Sequence, residues 1–316
     1  MNHRNVRFSH RRSFPTLMVL GLIVILAIWL VGRLFRTQAT QIISPLAETI
    51  EKKLPIKKTS SSPSPNLKNL SELIVQIKNL LVNENGSYSV YLFDLNSNQS
   101  YGINETGIFT AASVSKIPIL AALYFESERG ELDLDERITL QPNDIQDYGT
   151  GSLRYGGAGK AYSLRTLAQL MIEKSDNTAA FVLSKIVGLK RIQELTQIWG
   201  LTQTDMFENK TSNKDMAQLM TKMYKNQIVG RALTLEMIGF MDDSDFENRL
   251  PALIPEEVVV YHKIGTEVGN IHDVGLFVLP NQLYYLGVMS NDITNETQAE
   301  EVISKISKLT YGFMSQ

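Results

Sequence analysis

The strand-like segments of this chain stand at the two ends of its globular part, with a long helical stretch between them, and that distribution limits the folds open to it. YSVYLFDL (88–95) alternates like a strand, and the turn residues Asn96, Ser97 and Asn98 lead into a short returning strand near Tyr101. Strand character comes back at VVVYHKIG (258–265), VGLFVL (274–279) and LYYLGVMS (283–290), the last two joined by Pro280-Asn281. LKNLSELIVQIKNLL (67–81) has apolar residues at helical spacing and is stopped by Asn85-Gly86. A final helix is predicted over 296–313, with Asn295 as its N-cap. From about 113 to 241 the chain reads as helices broken by loops rich in Gly, Asp and Asn. The expected class is α+β: an antiparallel sheet of about five strands flanked by helices, plus an all-helical lobe.

Composition suits one good-sized domain with appendages. Of 316 residues, 43% are hydrophobic and 20% charged, enough for a real core. The net charge of −2 supplies no basic face for nucleic acid. With no cysteine, disulfides, thiolate metal sites and a cysteine nucleophile are excluded. His3, His10, His262 and His272 are scattered and form no pair at zinc-ligand spacing.

The N-terminus bears on the compartment. Arg4, Arg7, Arg11 and Arg12 precede the uncharged run LMVLGLIVILAIWLV (17–31), which stops at Arg33. With its flanks the run reaches the short end of what spans roughly 30 Å of hydrocarbon. The basic side comes first, so the positive-inside rule puts the N-terminus in the cytoplasm and the rest outside. A cleaved signal peptide is the rival reading, but the run is long for one and RLFRTQATQ offers a weak cleavage pattern. The expected organisation is a basic cytoplasmic tail (1–15), a transmembrane anchor (16–33), a flexible linker with SSSPSP (34–65) and a globular domain (66–316).

Three short motifs carry chemistry. Ser113-Val-Ser-Lys116 opens an apolar helix, and its three-residue offset puts hydroxyl and ammonium on one face. Partial burial would lower the lysine pKa enough for it to serve as a base toward the serine. Ser175-Asp176-Asn177 joins two helical segments; alone, it reads as an ordinary capping cluster. Lys263-Ile264-Gly265-Thr266 ends a strand, where a lysine is usually just solvated.

In this order and context, S-x-x-K, S-D-N and K-x-G resemble the serine β-lactamase and penicillin-binding protein superfamily, and class A β-lactamases in particular. FTAASVSKIPIL is similar to the nucleophile helix of that family and KSDNTAAFVL to its S-D-N helix. NDIQDY (143–148) resembles the loop that places an aromatic gate over the cleft, which makes Tyr148 the candidate gate. The resemblance implies that Ser113 is acylated, that Lys116 helps to activate it, and that Ser175 relays a proton to the departing nitrogen. It implies that Asn177 binds the substrate amide and orients Lys116, and that Lys263 supplies positive charge near the substrate carboxylate. It implies an oxyanion hole from the backbone N–H groups of Ser113 and Thr266, the residue after Gly265. No cofactor is needed, the partner is a β-lactam or a cell-wall peptide-like substrate, and a monomer is assumed.

The departures are informative. Ile264 stands where the family has a hydroxyl residue, and Thr266, two residues on, is the substitute on the same strand face. Val274 stands where class A most often has an arginine that supports carboxylate binding. WGLTQTDMFENKTSNKD (199–215) lacks the E-x-x-x-N element that holds the deacylating water. Glu208 is the only acid there with suitable chemistry, at a spacing that does not match. Three readings follow: a β-lactamase-like hydrolase, a D,D-peptidase-like wall enzyme with slow deacylation, and a non-catalytic binding relative.

Overall fold

The computed structural model describes residues 67–316 apart from Asp243. The anchor and linker expected over 16–33 and 34–65 lie outside the described residues. Among the described residues no helix is long and apolar enough to cross a membrane.

In chain order, α1 (Leu67–Leu81) leads to β1 (Ser87–Asp94), β2 (Ser100–Ile103) and the two-residue β3 (Phe109–Thr110). A 3-10 turn (Ala112–Ser115) then runs directly into α2 (Lys116–Glu128). The middle of the chain holds β4 (Arg137–Thr139), β5 (Ala161–Ser163), α3 (Leu164–Glu173), α4 (Asn177–Val187) and α5 (Leu189–Ile198). After β6 (Lys210–Thr211) come α6 (Asn213–Tyr224) and α7 (Arg231–Gly239). The chain closes with β7 (Val259–Glu267), β8 (Asn270–Val278), β9 (Leu283–Asn291) and α8 (Glu296–Met314).

One antiparallel sheet of five strands, in the order β2-β1-β9-β8-β7, unites the two ends of the domain. Its central strands are buried along nearly their whole length, because both faces are covered. On β9 the side chains of Tyr284, Leu286 and Val288 enter a core shared with Leu73, Ile77, Ile303 and Ile306 of α1 and α8. The alternate residues Tyr285 and Met289 enter a second core with Leu120, Leu167 and Leu219 of the helical part. Period-two alternation thus feeds two cores rather than one core and solvent. The cap predicted at Asn295 is present, its Oδ1 accepting from the Gln298 amide at 3.1 Å.

Helix α2 runs through the second core with Ile117, Leu120, Ala121, Ala122, Leu123 and Tyr124 all buried, so it presents no wide polar face. Asn213, at the start of α6, ties the helical part to the sheet. Its Nδ2 donates to the Gly287 carbonyl at 2.8 Å and to Ser89 Oγ at 3.1 Å, while its Oδ1 accepts from Tyr285 O–H at 2.7 Å. Strand β7 lies at the sheet edge, and its free side faces the Ala112–Ser115 turn.

Candidate active site

The turn that carries Ser113 is 3-10, not α-helical. With three residues per turn, positions i and i+3 eclipse, so Ser113 and Lys116 stand in line more closely than on an α-helix. Ala112, immediately before, takes a left-handed conformation at φ +47°. Ser113 is partly exposed, whereas Lys116 is buried.

Lys116 Nζ lies 2.8 Å from Ser113 Oγ, 2.7 Å from the Ser175 carbonyl, 3.1 Å from Ser175 Oγ and 2.8 Å from Asn177 Oδ1. Burial lowers its pKa to about 7, against the opposing pull of the nearby Asp176 charge. Near neutrality much of this amine carries a free lone pair beside the serine hydroxyl, the arrangement of an activated nucleophile.

The S-D-N segment is both the capping cluster its composition suggested and part of this constellation. Asp176 caps α4, its Oδ1 accepting from the Ala179 amide at 3.0 Å, and its Oδ2 accepts from the Leu153 amide at 2.9 Å. That cap turns Ser175, at φ +52°, and Asn177 toward Lys116. Asn177 Nδ2 donates to the Tyr148 carbonyl at 3.1 Å, so Tyr148 is brought to the rim, where the residue is 63% exposed. Gly149 makes this approach possible: its φ is +67°, and a Cβ there would sit 2.3 Å from Asn177 Nδ2.

Lys263 is not a solvated strand terminus. It is 1% exposed, and its Nζ has no hydrogen-bond partner among the described residues. The ring of Phe246 lies 5.9 Å away. Burial first, and the charge of Lys116 second, push its pKa well below the ordinary lysine value. Gly265 lies against the turn that carries Ser113: a Cβ there would meet the Ala111 carbonyl, His272 Cδ2 and Val114 Cγ2, each at 3.0 Å. The His262 amide bonds outside the sheet, to the Met241 carbonyl at 3.2 Å. Amide directions alternate along a strand, so the Thr266 N–H points to the same free edge.

Two residues were not anticipated. Arg249 is buried, and its guanidinium donates to the Gly265 carbonyl at 3.1 Å, the His272 carbonyl at 2.7 Å, Thr266 Oγ1 at 2.6 Å and Glu300 Oε1 at 2.9 Å. It brings an arginine to the strand end although Val274 has none to offer. The available signal was that Arg249 is the only arginine after Arg231. His272 Nδ1 accepts from the Ser290 amide at 3.1 Å, so its Nε2–H donates to the Thr110 carbonyl at 2.7 Å. Burial pushes its pKa down to about 4 and keeps the ring neutral.

Glu208 sits on the exposed tip of a turn closed by the Asp205–Lys210 pair. Its amide donates to Asp205 Oδ1 at 3.0 Å, and its carboxylate has no partner among the described residues. Among the described residues none of the hydrogen bonds of Ser113 or Lys116 goes to an acid.

The sequence profile of the β-lactamase enzyme family matches residues 72–314. The chain belongs to that family. β-Lactamase VEB-1 of Pseudomonas aeruginosa is 24% identical over 270 residues, covering 76% of this chain and 90% of that protein. The structure of PBP-A superposes with a TM-score of 0.72 at 30% identity, covering 80% of this chain and 98% of PBP-A. A variant of PBP-A, solved as its acyl-enzyme complex with penicillin G, matches with the same TM-score at 29% identity over 77% of this chain and 96% of that one. This member of the β-lactamase enzyme family is a serine hydrolase of the β-lactamase-like type.

Proposed function

We propose that Ser113 is the nucleophile of an acyl-enzyme cycle on β-lactams or a related wall-peptide amide, with fast acylation and slow release, the behaviour of a penicillin-binding enzyme. The observation that carries this reading is the 2.8 Å contact between Ser113 Oγ and a buried Lys116 amine whose pKa is about 7. Ser113 Oγ attacks the carbonyl carbon as its proton passes to Lys116 Nζ. When the C–N bond breaks, a proton returns from Lys116 through the Ser175 hydroxyl, 3.1 Å away, to the departing nitrogen. The amides of Ser113 and Thr266 stabilise the oxyanion, a contribution of about 3 kcal/mol for each well-aimed donor.

Substrate recognition is divided among the remaining residues. Asn177 uses Oδ1 on Lys116 and one N–H on Tyr148, which leaves its second N–H for the substrate amide. Lys263, whose Nζ has no hydrogen-bond partner among the described residues, receives the substrate carboxylate, whose negative charge favours the ammonium form that burial opposes. Thr266 Oγ1 accepts from Arg249, so its own O–H is free to donate to the same carboxylate in place of the hydroxyl that Ile264 lacks. Tyr148 flanks the entrance. Slow release follows from the exposed position of Glu208 and from the lack, among the described residues, of an acid hydrogen-bonded to Ser113 or Lys116 that could activate water. The apolar run 17–31, preceded by four arginines, supports anchoring to the membrane with this domain outside the cytoplasm.

The test is to incubate the full-length chain with benzylpenicillin and follow intact mass over time, with Ser113→Ala as control. A persistent adduct that depends on Ser113 is expected. An adduct that clears rapidly as penicilloate accumulates would replace slow release with efficient β-lactamase turnover, and no adduct would reject the acyl-enzyme reading for this substrate class.

A further inference from the structure

A second set of charged side chains lies on β7 and β8, next in sequence to Lys263 and His272. His262 and Asp273 are fully buried there, with His262 Nδ1 2.9 and 3.0 Å from the two Asp273 carboxylate oxygens. His262 Nε2 lies 3.3 Å from Oε1 of the half-exposed Glu247. Asp273 Oδ2 also accepts from the Leu250 amide at 3.0 Å. Burial opposes a charged imidazole, but Asp273, and after it Glu247, outweigh that and hold the His262 pKa at about 9. A protonated imidazole donates from both nitrogens, so one cation satisfies both carboxylates.

What this pair grips is the segment 246–250. Among the described residues no helix or strand lies between α7 and β7, so side-chain contacts help to set the path of this stretch. Glu247 is held by His262 and the Leu250 amide by Asp273. Between them stands Arg249, whose guanidinium reaches Gly265, His272, Thr266 and Glu300. The Leu250 carbonyl accepts from Ser307 Oγ at 2.6 Å, and Phe246 places its ring beside Lys263. Glu300 already balances the charge of Arg249, so the guanidinium acts here less as a free cation than as a rigid fork that orients Thr266.

We infer that His262 and Asp273 are positioning residues which hold Arg249 against Thr266 and thereby set the preference of the enzyme for substrates that carry a free carboxylate beside the scissile amide. The inference rests on the acyl-enzyme reading above. A pair that merely stabilised the sheet would affect charged and neutral substrates alike; a pair acting through Arg249 and Thr266 affects the charged one selectively.

The experiment compares acylation rates of the full-length wild type, His262→Asn and Glu247→Gln by benzylpenicillin and by its neutral methyl ester, read by intact mass. For wild type the acid is expected to react faster than the ester. In His262→Asn the rate with the acid is expected to fall about tenfold, with the ester rate changed less than about twofold. Glu247→Gln, which keeps the buried His262–Asp273 pair, is expected to show a smaller loss confined to the acid. If His262→Asn loses its near-ultraviolet circular dichroism, Glu247→Gln decides alone. Equal losses with both substrates, no loss with either, or a wild type indifferent to the carboxylate would each overturn the inference while leaving the acyl-enzyme reading intact. A wild type acylated by neither compound would overturn both.

Discussion

The main-chain carbonyl of Asn209 accepts a hydrogen bond from the Ala111 amide across 2.7 Å, so the segment between α5 and α6 is stitched to the turn that presents Ser113. β3 and β6 extend that stitch, pairing Phe109 with Thr211 and Thr110 with Lys210. The contact uses backbone, and the Glu208 carboxylate one residue earlier takes no part in it. Glu208→Gln is therefore expected to change the lifetime of the benzylpenicilloyl adduct by less than about twofold, since a general base would contribute at least 10²-fold. The adduct half-life, read by mass, checks this.

Acylation should follow the protonation of Lys116. Below its pKa of about 7 the ammonium has no lone pair to take the Ser113 proton; above it the amine is free. The rate of acylation by benzylpenicillin is expected to rise with pH through about 7 and then level off. Lys116→Met should lower it by roughly 10²–10⁴-fold and remove that rise. A pH profile of adduct formation for both proteins is the measurement.

Gly265 is expected to tolerate no side chain. In Gly265→Ala the new Cβ would press on the Ala111 carbonyl, His272 and Val114 at 3.0 Å, a spacing that forces β7 and the nucleophile turn apart by a few tenths of an ångström. Catalysis is more sensitive to such a shift than folding is. The variant should fold with a melting temperature lowered by a few degrees, yet acylate at least about tenfold more slowly. Thermal melts run beside adduct kinetics test both halves.

The two buried histidines bound the pH range of stability from opposite sides. His272 has its folded pKa depressed by burial to about 4, below the unfolded value near 6.5. Its neutral form is satisfied above the unfolded pKa, and stability is lost as pH falls from about 6.5 through 4. His262 has its folded pKa raised to about 9 by Asp273 and Glu247, against the opposing effect of burial. Its contribution is complete below about 6.5 and is lost as pH rises through 9. Each effect is on the order of 3 kcal/mol. Urea unfolding from pH 4 to 9.5 should show both limbs, with the alkaline one flattened in His262→Asn.

Much of the fold was legible because its elements announce themselves locally. The apolar stripe of α1 marked both of its ends, and the strand runs 258–265, 274–279 and 283–290 lie within β7, β8 and β9, save for a residue at the start of β7 and another at the end of β8. The shorter pieces were not legible: β3, β4, β5 and β6 are two or three residues long and hold no periodicity. Nor was the 3-10 form of the Ser113 turn, whose spacing satisfies either helix.

By itself the sequence determined the residue types and their order: Ser113 three positions before Lys116, a capping Ser-Asp-Asn, and a glycine two residues after Lys263. Only the tertiary structure decided that Lys116 meets Ser175 across 59 residues, that Lys263 is buried without a hydrogen-bond partner among the described residues, and that His272 reaches Thr110 across 162. It also supplied Arg249 to the end of β7, from a segment with no secondary structure to advertise it. The physical reason is range. Propensity, capping and periodicity act over a few residues, whereas burial and its effect on a charge depend on which distant segments the sheet and helices bring together.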